Sequence, residues 1–248
     1  MRIIYKFDDI YSNDIYSKLK GFDPRLLEST VAKILYYFPE LKDVKTIMYF
    51  ACIVKDTNVG ANTYPLKYPR SYLEHNNPSL AYACRDYLDI DFAFWFSKIV
   101  TEGDEITRVI NISHEINHAS QYVLNTKLYL YGCIIRFLLI NYIPNDLSPI
   151  EYDSVRKSKI VSYEIFSKKD VDSFINKFLS NPDIEGNGRE FLEVFKSIEI
   201  CDSYDWKNSV IKLWDKYNIK IEIDKLIKLK NPDFDQSKII EMYNFANK

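Results

Sequence analysis

The chain has 248 residues, 47% of them hydrophobic and 27% charged, a balance that excludes a disordered or fibrous protein. Lys and Arg number 33 against 35 for Asp and Glu, a net charge of −2. Nothing in that balance pulls toward nucleic acid or an anionic membrane, and neither is expected as a partner. A core of this size needs no disulfides. The four cysteines, Cys52, Cys84, Cys133 and Cys201, form no Cys-x-x-Cys pair. With no signal-peptide pattern at the N-terminus, they predict mostly buried free thiols in a reducing, cytoplasmic setting.

Asp23-Pro24 reads as an N-cap followed by proline at the first helical position, opening a helix that Pro39 stops. Thr46 to Lys55 is β-branched and aromatic, which predicts a strand. Residues 56–80 contain Pro65, Pro69, Pro78 and several Asn, the composition of a long loop. From Leu88 to Phe96 large apolar residues alternate, the period of a strand. Helices are expected over 105–125 and 127–143, then a break from Pro144 to Pro149. Beyond it the pattern is helical, interrupted at Asn181-Pro182, Gly186-Asn187-Gly188 and Asn231-Pro232. Strands mixed with helix, then helices alone, predict an α+β fold. The expected division is a core over 1–165 and a helical C-terminal extension over 166–248 packed on it. The longest apolar stretch, Cys133 to Ile143, is too short to span a bilayer and is broken by Arg136. An arginine there needs an ion-pair partner or a route to solvent.

One motif carries chemistry. His114-Glu115-Ile116-Asn117-His118 is an H-E-x-x-H. On a helix, residues four apart share a face, so both imidazoles can reach one Zn²⁺ at about 2.0–2.1 Å. Glu115 lies about 100° round the axis from His114, beside such an ion and not on it. That is where a carboxylate takes a proton from an activated water. Ile112, Ile116, Ala119 and Val123 form a stripe for the core. Asn111, His114, His118, Gln121 and Asn125 form a polar stripe suited to a cleft floor, with Asn111 or Gln121 able to support an imidazole. The motif uses two of the 3 histidines in the chain. The bland alternative is an amphipathic helix with two surface histidines.

A catalytic zinc needs a third protein ligand and an open fourth position. No third histidine follows the motif, and His75 lies upstream in the Pro/Asn-rich segment. A downstream carboxylate fits better, with Glu151 foremost and Asp146, Asp153 and Glu164 behind it. Ser148-Pro149-Ile150-Glu151 also reads as a capping box with proline at the first helical position. Local sequence leaves Glu151 open between ligand and cap.

The two segments together resemble the gluzincin branch of the zincin metallopeptidases. The closest likeness is to compact predicted peptidases with HExxHxxQ followed by a Pro-x-Glu-x-x-Ala helix. Here these are His114-Glu-Ile-Asn-His118-Ala-Ser-Gln121 and Pro149-Ile-Glu151-Tyr-Asp-Ser154, with serine for the usual alanine. The resemblance covers about residues 88–165. It implies His114, His118 and Glu151 as zinc ligands, Glu115 as general base, and a protein or peptide as substrate. It also implies a short sheet against the motif helix, with the Glu151 helix crossing it. The Leu88–Phe96 strand is then either the edge strand beside the cleft or an ordinary buried strand. For the oxyanion, Tyr152, Tyr122, Arg156 and His75 are candidate donors. The competing class is a non-catalytic binding or regulatory protein with a degenerate or structural zinc site.

Overall fold

The computed structural model describes residues 1–13, 23–52, 61–66, 77–87, 89–182, 187–201 and 204–248. Its fold is α+β, with one four-stranded sheet and, among the described residues, eleven α-helices. In chain order these are β1 (Arg2–Phe7), α1 (Pro24–Leu35), β2 (Lys45–Phe50), β3 (Ala61–Pro65), α2 (Pro78–Cys84), β4 (Phe92–Phe96) and α3 (Lys98–Thr101). There follow α4 (Glu105–Leu124), α5 (Thr126–Leu138), α6 (Pro149–Ile165), α7 (Lys168–Leu179), α8 (Asn187–Ser197), α9 (Trp206–Lys216), α10 (Ile219–Ile227) and α11 (Phe234–Ala246). No described helix is long and apolar enough to cross a membrane.

The sheet order is β1-β2-β4-β3. β1, β2 and β4 are parallel, with Ile4 opposite Ile47 and Met48 opposite Phe94. β3 runs antiparallel to β4, with Thr63 opposite Phe94. All five residues of β4 are buried. Phe92, Phe94 and Phe96 join Val31 and Ile34 of α1 and Val109, Ile112 and Ile116 of α4 in one cluster. Ala93 and Trp95 join Leu80, Ala81 and Cys84 of α2 on the other face. A strand covered on both faces is apolar throughout, which is why Phe-Ala-Phe-Trp-Phe has no polar side.

β4 is therefore central, so of the two readings of Leu88–Phe96 the ordinary buried strand holds and the edge strand does not. The strand starts only at Phe92, and Leu88 lies outside the described residues. Asp89 and Asp91 are spent on the neighbouring strand instead: Asp89 pairs with the Lys45 ammonium, and Asp91 accepts from the Lys45 backbone N–H at 3.0 Å. The terminal strand beyond β4 is β3, drawn from the segment read as loop 56–80. Its Asn and Pro content hid a strand whose partner supplies the apolar packing. α2 also starts inside that segment, where Asn77 caps it by accepting from Leu80 N–H. The rest of the segment, with His75, lies outside the described residues.

Elsewhere the local signals hold. Asp23 caps α1 with Pro24 at its first position, and Asp104 caps α4 by accepting from Thr107 N–H. Asn125 ends α4 and caps α5. All four cysteines are free, but only Cys84 is buried; Cys52 and Cys133 are half-buried and Cys201 is exposed, against the expectation of mostly buried thiols.

The later helices pack on α5 and α6. Val171 and Ile175 of α7 and Phe195 of α8 close over Ile110 of α4 and Val155 of α6. The buried Lys159 ammonium of α6 donates to the Lys196 and Ile198 carbonyls at 3.1 and 2.7 Å, closing the end of α8. Val210 of α9 and Met242 of α11 belong to the cluster that holds Leu130 and Ile134 of α5.

Gly132 permits the approach of α5 to α6. A Cβ there would lie 2.5 Å from Ile150 Cγ2 and 3.4 Å from Val210 Cγ2. The Ile150 methyl branches at Cβ and cannot swing away freely in a helix. Alanine gains about 1 kcal/mol of helix propensity, yet overpacking of this kind costs about 1–3 kcal/mol. Gly132→Ala is expected to lower stability by up to about 2 kcal/mol, read as a lower denaturant midpoint at unchanged slope; a rise in midpoint would show that Ile150 yields without strain.

Candidate metal centre

α4 brings the two motif histidines to one place because its apolar stripe is committed to the sheet. Val109, Ile112, Ile116 and Ala119 are fully buried there. Val123, read as part of that stripe, lies near the helix end and is exposed. The polar stripe is not the open cleft floor that was expected. Its middle is the seam between α4 and α6, and His118 and Gln121 are buried in it. Asn111 gives its amide to its own helix, donating to the Thr107 carbonyl at 2.8 Å, and supports no imidazole.

α6 brings the third group. Its first turn could have closed on itself, but Ser148 makes no side-chain cap. Its buried hydroxyl has no partner among the described residues. The Glu151 carboxylate turns away to α4 and α5. Oε2 lies 3.1 Å from His114 Nε2 and 3.4 Å from His118 Nε2, and Oε1 accepts from the Arg136 guanidinium. The two imidazole Nε2 atoms are 3.2 Å apart. Of the two readings of Glu151, the capping box is thus excluded.

This triangle passes a simple fit test for a small divalent ion. Tetrahedral zinc with bonds of about 2.0–2.1 Å keeps neighbouring ligand atoms about 3.3–3.4 Å apart. The observed sides of 3.1, 3.2 and 3.4 Å lie at or within about 0.2 Å below that spacing. Among the described residues these three form the one group with ligand atoms all within 4.8 Å of each other. The donor set of two imidazoles and a carboxylate suits zinc and other borderline first-row ions alike. His114 Nδ1 is buried without a partner among the described residues, and its ring meets Phe191 of α8 edge-on at 5.9 Å.

Charge is concentrated here. Burial alone would raise the Glu151 carboxyl, but Arg136, then His118 and His114, outweigh it and hold the group well below the ordinary carboxylate range. For His118 burial pulls the imidazole down, while Glu151, Glu115 and Gln121 together leave it above its usual value. Arg136 is thus the ion-pair residue anticipated in the apolar helix, with Glu151 as its partner.

Glu115 is buried but stands outside the converging group. The Thr63 hydroxyl of β3 donates to its Oε2 at 2.6 Å. Thr63 was invisible in the sequence, since its strand was. The weaker ligand candidates are elsewhere engaged. Asp153 Oδ2 accepts from the Asn117 and Gln121 amides at 3.0 and 2.9 Å, and its Oδ1 faces Arg156. Glu164 is exposed near the far end of α6. Asp146, in the turn before α6, feels the Glu151 charge, and its carboxyl is raised first by burial and then by that charge.

The expected oxyanion donors are not gathered at the triangle. Tyr152 packs on Tyr204 with centroids 4.8 Å apart. Arg156 is held by Asp153 and by the Cys201 carbonyl at 3.2 Å. Tyr122 is enclosed between Phe92 and Tyr129. The tyrosine beside the site is Tyr129 of α5, its ring 6.2 Å from that of His118. Burial first, then Cys133, Glu151 and Glu115, push its hydroxyl well above the usual range. It follows the motif on a separate helix, so no spacing pointed to it.

No protein-family model matches the chain, and no curated protein or solved structure matches it either.

The Arg136–Glu151 contact can be weighed directly. Removing one partner of a buried pair costs about 3–5 kcal/mol, but the guanidinium is 40% exposed, and solvent screening reduces this to about 1–2 kcal/mol. Arg136→Leu in metal-free protein is expected to show that loss in a urea titration, and a titration matching the parent would mean the imidazoles alone satisfy Glu151.

Proposed function

We propose that the protein is a zinc-dependent metallopeptidase in which His114, His118 and Glu151 hold the ion and Glu115 is the general base. The observation that carries this reading is the triangle of three candidate ligand atoms, 3.1–3.4 Å apart, with a second carboxylate, Glu115, next to His114 in sequence but outside the triangle. A bound zinc would lower the pKa of water toward about 7 and polarise a scissile carbonyl. Glu115 accepts the proton of the attacking water and passes it to the leaving amine. The Thr63 hydroxyl on Oε2 fixes the rotamer of that carboxylate and leaves Oε1 for the proton. Arg136 occupies Glu151 Oε1, so one carboxylate oxygen alone is turned to the imidazoles.

The substrate class is a protein or peptide. β3 is the terminal strand of the sheet among the described residues, and Thr63 lies on it. An extended peptide adding to that edge by main-chain hydrogen bonds would pass Glu115. The setting is a reducing, cytoplasmic one, in keeping with four free cysteines.

The second reading, a non-catalytic binding or regulatory protein with a structural zinc, has a weaker footing. A structural site closes its fourth position with another protein ligand. Among the described residues the group has three members and no cysteine.

Metal analysis of the purified protein beside two variants decides between them. Glu115→Gln is expected to keep stoichiometric zinc while slowing hydrolysis of a peptide mixture by about 10²–10⁴-fold. Glu151→Ala is expected to lose zinc on dialysis. Full zinc occupancy with no hydrolysis by the parent protein would favour the binding protein, and failure of the parent to take up zinc would end the peptidase and structural-zinc readings, leaving only a degenerate site.

A further inference from the structure

Beneath His118 lies a buried polar network that the proposed chemistry does not itself use. Gln121 Nε2 donates to the Ile150 carbonyl and to Asp153 Oδ2, both at 2.9 Å. Both partners are pure acceptors, so the amide can point only one way: its NH₂ toward them and its oxygen away. That oxygen, Oε1, lies 3.1 Å from His118 Nδ1. An acceptor at that distance in a buried site requires a proton on the nitrogen it faces, since two lone pairs opposed without water would be costly.

We propose that Gln121, pinned by Asp153 and the Ile150 carbonyl, is a positioning residue that holds His118 in the tautomer with its proton on Nδ1. Nε2, 3.2 Å from His114 Nε2 and 3.4 Å from Glu151 Oε2, then carries the lone pair. In the metal-free protein a His114 Nε2–H lies between the two acceptors, since His114 Nδ1 has no partner among the described residues. A metal-bound imidazole ordinarily donates its other N–H directly to a carboxylate or a carbonyl. Here the carboxylate, Asp153, acts one step removed, through an amide. Asp153 is itself fixed by the Asn117 amide at 3.0 Å and faces Arg156 at 3.4 Å, so the orientation originates in three residues that touch no ligand atom. All of Asn117, Gln121, Asp153 and Ser154 are buried, so water does not compete for these bonds.

Ser154 offers the opposing arrangement. Its hydroxyl is 3.2 Å from His118 Nδ1 and accepts from the Asn117 amide at 3.2 Å. Were it the controlling partner, it would donate to Nδ1 and place the proton on Nε2, closing the site to a cation. The Gln121 oxygen is nearer and cannot donate, so it decides the tautomer, and the Ser154 oxygen acts as a secondary acceptor.

This inference deepens the metal-site reading and rests on it for its purpose, but its test does not need a metal. Imidazole ¹⁵N–¹H correlation spectra of metal-free, ¹⁵N-labelled protein at alkaline pH report which His118 nitrogen is protonated. The expected result is Nδ1–H in the parent and in Ser154→Ala. In Gln121→Met the population should move toward the Nε2–H form that an unrestrained imidazole favours. Asp153→Asn, which keeps an acceptor oxygen for the two amides, should retain the Nδ1–H form. Zinc affinity should fall about 10–100-fold in Gln121→Met and much less in Asp153→Asn. Nε2–H in the parent spectrum would overturn the inference even if no variant folds, and so would a tautomer change in Ser154→Ala with none in Gln121→Met. Nδ1–H in a parent protein that binds no zinc would support the tautomer assignment while counting against the metallopeptidase.

Discussion

A carboxylate that is 4% exposed must be compensated, and the structure around Glu151 is arranged to do so. Two imidazoles from α4 and a guanidinium from α5 supply the compensation from different elements. That requirement draws three helices to one point. Gly132 lets α5 approach the start of α6, and Ser154, fully buried, lets α6 lie close to α4. The helix contacts around the site thus follow from the demands of one buried charge, and the same arrangement leaves three ligand atoms facing each other at tetrahedral spacing.

The sheet has a different role. With β4 covered on both faces, it is a rigid apolar slab against which α4 lays Ile112, Ile116 and Ala119. Rotation of α4 about its axis would expose those residues to the polar seam, so the direction in which His114 and His118 point is set by apolar packing. The antiparallel strand β3 then places Thr63 against Glu115. Glu115 of α4 thus meets a hydroxyl from the sheet, while the triangle of His114, His118 and Glu151 is formed between helices.

Legibility differed from residue to residue. His114, Glu115 and His118 were readable because their relation is fixed within one helical turn, which no tertiary contact alters. Glu151 was half readable: Ser-Pro-x-Glu permits a cap, and the turn of its carboxylate toward the imidazoles involves Arg136, fifteen residues away on another helix. Thr63 and Tyr129 were not readable at all. One lies in a strand placed by its pairing with β4 and its contact with α4, the other enters the site from a helix whose own pattern says nothing of its neighbour. β4 was readable as a buried strand from its aromatics, but its neighbours in the sheet were not, because an apolar run does not say which strands flank it.

What the chain's local chemistry determined was the inventory: an α+β order of elements, their caps, the helical pair of imidazoles and the adjacent carboxylate. These depend on interactions within a few residues, and the period of a helix or strand carries them without reference to the rest of the molecule. Tertiary structure alone decided which carboxylate turns to the imidazoles, which strand ends the sheet, and that the polar stripe of α4 is a buried seam and not an open floor. Each of these is a competition for desolvation and hydrogen bonding between groups far apart in the chain, and such a competition has no outcome until the elements pack.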